Sequence, residues 1–153
     1  MVTLIGMGSG SWEALSVQAQ DAVRRAGLVF GAKRLLAGLP PECTARQFAL
    51  YQPAEILETL AQAPGQDATV LYSGDTGFYS GASGLLTPLR ALGIPARVYP
   101  GVSSIQLLAA ALGRPWQDWK LVSAHGCACD PVAECMTDRA GFFPVSDTAL
   151  RAH

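Results

Sequence analysis

Apolar residues along this chain occur in two alternating textures. Short continuous runs, Met1 to Ile5, Leu28-Val29-Phe30, Ala68-Thr69-Val70-Leu71-Tyr72 and Ala96-Arg97-Val98-Tyr99, are bounded by turn formers and predict strands. The run from Ala68 to Tyr72, rich in β-branched and aromatic residues, has the character of a buried strand of a parallel sheet, and a weaker strand is predicted around Phe48. Between the runs, apolar residues recur at helical spacing. Leu15, Ala19, Ala22 and Val23 predict a helix that Gly27 can end, and Lys33 to Leu36 a short one closed by Gly38 and Pro40-Pro41. Pro53 suits the first turn of a helix carrying Ile56, Leu57 and Leu60. A further helix runs through Leu85, Leu86, Leu89 and Leu92 to a break at Gly93 and Pro95, and Ile105 to Leu112 forms another. Strands alternating with helices predict an α/β fold: a mostly parallel sheet with flanking helices and right-handed crossovers.

Gly113-Arg114-Pro115-Trp116 reads as a boundary, giving an N-terminal α/β domain over 1–114 and the start of a second α/β domain over 115–153. Trp119 to Ser123 restarts a strand that ends at Ala124-His125-Gly126. A helix over Pro131 to Met136 and a short apolar run at Gly141-Phe142-Phe143 follow, and then a polar tail. One strand-helix-strand unit takes about 30 residues, so the second domain is expected to stop after about its first two strands.

Composition narrows the class of partner. In 153 residues, 50% are hydrophobic and 15% charged with a net charge of −1, which describes an ordered globular chain and not a nucleic-acid or anionic-membrane binder. A small-molecule partner is expected. No run is long enough to span a bilayer and the start lacks the pattern of a signal peptide, so the expected address is the cytoplasm. The four cysteines are then expected to be reduced thiols. Cys127, Cys129 and Cys135 follow His125 closely, but their spacing does not match paired C-x-x-C zinc ligands, and no metal is expected.

The candidate chemistry lies in the loops that follow the strands. Ser73 to Gly84 combines four glycines, Gly74, Gly77, Gly81 and Gly84, with Asp75 as its only charge. Glycine lets a backbone approach a ligand closely, and a carboxylate at the carboxyl end of a parallel strand faces the crevice where such sheets bind ligands. The competing structural reading is a turn in which Asp75 caps the next helix. Gly6-Met7-Gly8-Ser9-Gly10-Ser11 brings its third glycine one residue early for a G-x-G-x-x-G fingerprint, and Phe30-Gly31 supplies no acid for a ribose, so a dinucleotide-dependent oxidoreductase is disfavoured. No P-loop and no G-x-S-x-G is present, and His125 has no identifiable triad partners.

Four of these segments, Gly6 to Gly10, Ser73 to Gly81, Tyr99-Pro100-Gly101-Val102-Ser103-Ser104 and Ser123-Ala124-His125-Gly126, stand in the order found in the tetrapyrrole methylases. The chain resembles that family over roughly residues 1 to 135, and within it the precorrin-6Y C5-methylating branch of cobalamin biosynthesis. The resemblance implies S-adenosylmethionine as cofactor, a precorrin macrocycle as substrate, methyl transfer to C5 of precorrin-6, a decarboxylating partner domain and a homodimer. It assigns Ser9 to the first cofactor loop, Ser73, Gly74 and Asp75 to the loop holding the methionine and ribose side, Phe78 to a further contact, and Ser103 and Ser104 to the pair after the Pro-Gly turn. It names no catalytic side chain. His125 is a candidate only by ending a strand. Thr76 stands where the family most often has proline, which keeps the loop but leaves φ less fixed. Cys127 replaces an arginine expected after His125-Gly126. The alternative to an enzyme is a truncated, non-catalytic domain that dimerises over an exposed sheet edge.

Overall fold

The computed structural model describes residues 1–121 and, as backbone, 141–142. Five strands, β1 (Val2–Gly6), β2 (Leu28–Phe30), β3 (Arg46–Phe48), β4 (Ala68–Tyr72) and β5 (Ala96–Tyr99), form one sheet in the order β3-β2-β4-β1-β5. Every pairing in it is parallel, with Val2 opposite Ala68 on one side and Ala96 on the other, and Leu28 opposite both Arg46 and Ala68. The expected α/β architecture is therefore the observed one.

Helices cover both faces, which is why the central strands are apolar at successive positions instead of alternating. Val2, Leu4, Leu28, Phe30, Ala68 and Val70 pack on one face with Ile56 of α3 (Pro53–Ala61) and Ala82, Leu85 and Leu89 of α4 (Ala82–Ala91). Ile5, Val29 and Leu71 pack on the other with Ala19 and Val23 of α1 (Val17–Arg25) and Leu35 of α2 (Lys33–Leu36). Pro88 interrupts the hydrogen bonding of α4, which costs about 3 kcal/mol. Leu85 and Leu89 are fully buried, and at about 1.5–3 kcal/mol each they offset that cost.

One local expectation needs correction. Leu15 does not belong to α1: it is buried but extended, after a 3-10 turn at Trp12–Ala14. Ser16 starts the helix because its Oγ accepts a hydrogen bond from the Ala19 amide at 3.2 Å, satisfying one of the free donors of the first turn. Arg24 and Arg25 then complement the carboxyl end of the helix dipole.

The chain divides into two compact units, Met1–Ser103 and Ser104–His153. In the second, α5 (Ser104–Leu112) ends in a Schellman cap. Gly113 takes φ +60°, its amide bonds the Ala110 carbonyl at 3.1 Å, and the Arg114 amide bonds that of Ala109 at 3.0 Å. Two short strands, β6 (Lys120–Leu121) and β7 (Gly141–Phe142), pair in parallel. The Ser123 to Gly126 motif, the three clustered cysteines and the helix expected over Pro131 to Met136 lie outside the described residues.

Candidate functional site

The order of the sheet singles out one edge before any side chain is considered. β1 and β4 are neighbours, yet β1 leads to α1 on one face and β4 to α4 on the other. The chain therefore leaves these two neighbours toward opposite faces, at a topological switch point of the kind where parallel sheets bind ligands. The loops at that point are Gly6 to Ser11 and Ser73 to Gly81, with Pro100 to Ser103 beside them after β5.

Backbone contacts join all three. Gly8 and Gly74 form an antiparallel bridge, Gly8 N to Gly74 O at 3.1 Å and Gly74 N to Gly8 O at 2.9 Å, while Met7 N donates to Tyr72 O at 2.8 Å. Gly6, Gly74 and Gly101 are pressed together: a Cβ on Gly6 would stand 2.6 Å from both the Gly101 nitrogen and the Gly74 oxygen, and one on Gly101 would collide with the Gly74 and Gly6 carbonyls. No alanine fits at either place without moving backbone. Gly74 itself lies at φ +66° with nothing within 4 Å of the Cβ position, so its outer side is open space.

Asp75 is the side chain that fixes the third loop. Its Oδ1 accepts a hydrogen bond from the Gly101 amide at 3.1 Å and its Oδ2 from the Gly77 amide at 3.0 Å. The latter is an Asx turn. Asp75 thus ties β4's loop to β5's loop and does not cap α4, whose first turn is served by Ser80 Oγ accepting from the Ala82 amide at 3.2 Å. A carboxylate has about four acceptor positions, so two N–H bonds leave capacity for ligand hydroxyls. Thr76, where proline was the expected residue, donates from Oγ1 to the Tyr99 carbonyl at 3.4 Å, a second tie between the same two loops.

Of the residues assigned from sequence, Ser9 and Ser73 are exposed and adjoin Gly8 and Gly74 of the bridge, Gly74 and the following Asp75 are half-buried, and Phe78 is half-buried farther along the loop. Ser103 is buried two residues after Gly101. Ser104 opens α5 in the second unit. Sequence reasoning missed Gly8 and Gly101 as hydrogen-bonding partners, although a glycine on each side of Met7 and a Pro-Gly turn were the available signals. Below the loop, burial pushes the Tyr72 phenol up to about 12. Among the described residues no group of three or more His, Cys, Asp or Glu could hold a metal ion.

Residues 1–141 match the family described as Tetrapyrrole (Corrin/Porphyrin) Methylases. The chain belongs to this family. Among its relatives, the cobalt-precorrin-7 C(5)-methyltransferase of Salmonella typhimurium is 34% identical over 128 residues, covering 82% of this chain and 62% of the relative. The precorrin-6Y C(5,15)-methyltransferase [decarboxylating] of a Sinorhizobium species is 32% identical over 133 residues, 86% of this chain and 32% of that protein. Among solved structures, the methyltransferase CobJ superposes with a TM-score of 0.70 at 24% identity, covering 87% of this chain and 59% of its own, a likeness of fold. A uroporphyrin-III C-methyltransferase of Thermus thermophilus complexed with S-adenyl homocysteine superposes with a TM-score of 0.62 at 25% identity, over 80% of this chain and 54% of the other. This member of the tetrapyrrole methylase family thus spans less than two thirds of the length of these relatives.

Proposed function

We propose that this methylase chain binds S-adenosylmethionine at the carboxyl edge of its sheet and takes part in methylating C5 of a precorrin in cobalamin biosynthesis. One observation carries the reading: in a chain of this family, the loops after β1, β4 and β5 are locked into one platform by the Gly8–Gly74 bridge and the Asp75–Gly101 bond, with open space above Gly74. The polar groups of the platform support the reading. Exposed hydroxyls of Ser9 and Ser73 stand next to Gly8 and Gly74, Asp75 has spare acceptor positions, and the resemblance adds Phe78, Ser103 and Ser104 as further contacts.

When bound, the cofactor supplies an electrophilic methyl group on a sulfonium. The protein's part is positioning: the platform holds the donor rigid, so that an incoming ring carbon can approach in line, and its close-packed backbone excludes water from below. No catalytic acid or base is assigned. The rest of the reading follows the resemblance: a cytoplasmic homodimer without nucleic-acid or membrane partners, residues 1–114 forming the methylase-like domain, 115–153 beginning a second, and a decarboxylating domain acting with it. Among the described residues no helix is long and apolar enough to cross a membrane.

Calorimetric titration with S-adenosylmethionine tests the reading. Saturable binding is expected, and Asp75→Ala, which frees the β5 loop, weakens it by roughly tenfold, the equivalent of one charge-assisted hydrogen bond. No detectable heat or stabilisation at millimolar cofactor would leave the non-catalytic, dimerising domain as the better description.

A further inference from the structure

We propose that Tyr79 is a substrate-facing residue of this site, an aromatic surface held open at the rim of the platform for the flat conjugated ring of a tetrapyrrole. The inference rests on the methyltransferase reading and adds to it the face on which the acceptor lies. Among the described residues Tyr79 is the only non-glycine residue at positive φ, +47°. A bulky residue there is a true outlier, and such strain persists only where the surroundings over-determine it, typically at ligand clamps.

The surroundings here do so from both sides. Two residues before Tyr79, the Gly77 amide is held by Asp75 Oδ2; just after it, Ser80 Oγ holds the Ala82 amide. Glycine at position 79 would relieve the strain, and the same loop has glycine at 77, 81 and 84. The side chain at 79 is not explained by packing or bonding. It is 55% exposed, and its hydroxyl meets no hydrogen-bond partner among the described residues. Among the described residues its one ring contact is with half-buried Phe78, edge to face at 4.8 Å and 80°, which leaves at least one face of the phenol ring open and favours one orientation of it. An oriented, exposed aromatic four residues beyond Asp75 suits offset stacking against a large π surface, and a ring lying on it would shield the methyl-transfer path from water.

The test uses the full chain, S-adenosylmethionine, and uroporphyrin as a flat carboxylated tetrapyrrole followed by its fluorescence. Tyr79→Phe keeps uroporphyrin affinity within about twofold, whereas Tyr79→Asn, whose residue tolerates positive φ, weakens it by roughly tenfold. Cofactor affinity stays the same in both variants, and the urea midpoint of Tyr79→Asn is unchanged or raised. Equal uroporphyrin binding by Tyr79→Asn overturns the proposal. So does a joint fall of midpoint, cofactor affinity and porphyrin affinity, which marks a structural role. Wild type that binds the cofactor but no uroporphyrin refutes the stacking surface alone, and wild type that binds neither refutes the methyltransferase reading beneath it.

Discussion

The two edges of the sheet use glycine for opposite reasons. At the amino edge, Gly65 takes φ +79° in the turn before β4, and a Cβ there would meet nothing within 4 Å. It serves to reverse the chain. At the carboxyl edge, Gly6 and Gly101 are chosen for room, since a Cβ on either would run into the backbone of a neighbouring loop. Fastening differs in the same way. The amino edge is closed by an exposed ion pair between the Met1 ammonium and Asp67 Oδ1 at 2.9 Å, the carboxyl edge by side chains bonded to backbone across the loops. A turn needs only a reachable backbone angle, whereas the proposed cofactor platform needs three loops at fixed spacing.

Alanine substitution separates these roles with the largest expected effect. Gly101→Ala must displace two carbonyls and is expected to cost about 3 kcal/mol, the upper end of overpacking, together with cofactor binding. Gly65→Ala faces only the left-handed penalty of about 1 kcal/mol and leaves binding intact. Urea denaturation and cofactor titration of the two proteins check this. Similar losses in both would erase the distinction between the edges.

The contrast also explains what could be read from sequence. Strands β1, β2, β4 and β5 were legible because short apolar runs bounded by turn formers have one good solution, a doubly covered parallel sheet. The loops stood out by glycine density and the lone carboxylate, and the structure joins them at one edge of the sheet. The partners of Asp75 were not, because the Gly101 amide is 26 residues away and is brought near only by the pairing of β5 with β1 beside β4. Thr76 was only partly legible for a related reason. Its lack of a proline ring is local and visible, while its bond to the Tyr99 carbonyl depends on tertiary structure. Tyr79 gave no signal at all, since no residue preference predicts a tyrosine at positive φ. At Leu15 the helical spacing was real, but Ser16 could bond the Ala19 amide, and the cap decided where the helix begins.

Next in size is a pH effect confined to the carboxyl edge. Tyr72 ends β4 beneath the platform, and its phenol is raised to about 12 by burial. In the unfolded chain it titrates near 10. Below about pH 10 both states hold the proton and this contribution to stability is fully present. As pH rises from there through 12 the unfolded chain gives up its proton first, so stability falls across that window. Urea midpoints measured from pH 9 upward should fall more steeply for wild type than for Tyr72→Phe, and absorbance of ionised tyrosine should show one late-titrating phenol that the variant lacks. Parallel slopes in the two proteins would remove the desolvated phenol from the account of this edge.

The smallest effect belongs to the amino edge. Both members of the Met1–Asp67 pair are close to half exposed, with side-chain exposures of 43% and 53%. Water and salt screen such a pair, and holding a chain terminus costs entropy, so Asp67→Asn should change stability by about 0.5 kcal/mol or less. The Asp67 main chain does more than its side chain. Its carbonyl accepts from the Gly27 amide at 2.8 Å and the Leu28 amide at 3.3 Å, and these bonds join the starts of β2 and β4 whatever the side chain is. Asp67→Asn should therefore leave the urea midpoint nearly unmoved at 0.15 M salt and leave cofactor affinity unchanged. A loss comparable to that of Gly101→Ala would mean that the amino edge also sets the spacing of the loops at the far end of the strands.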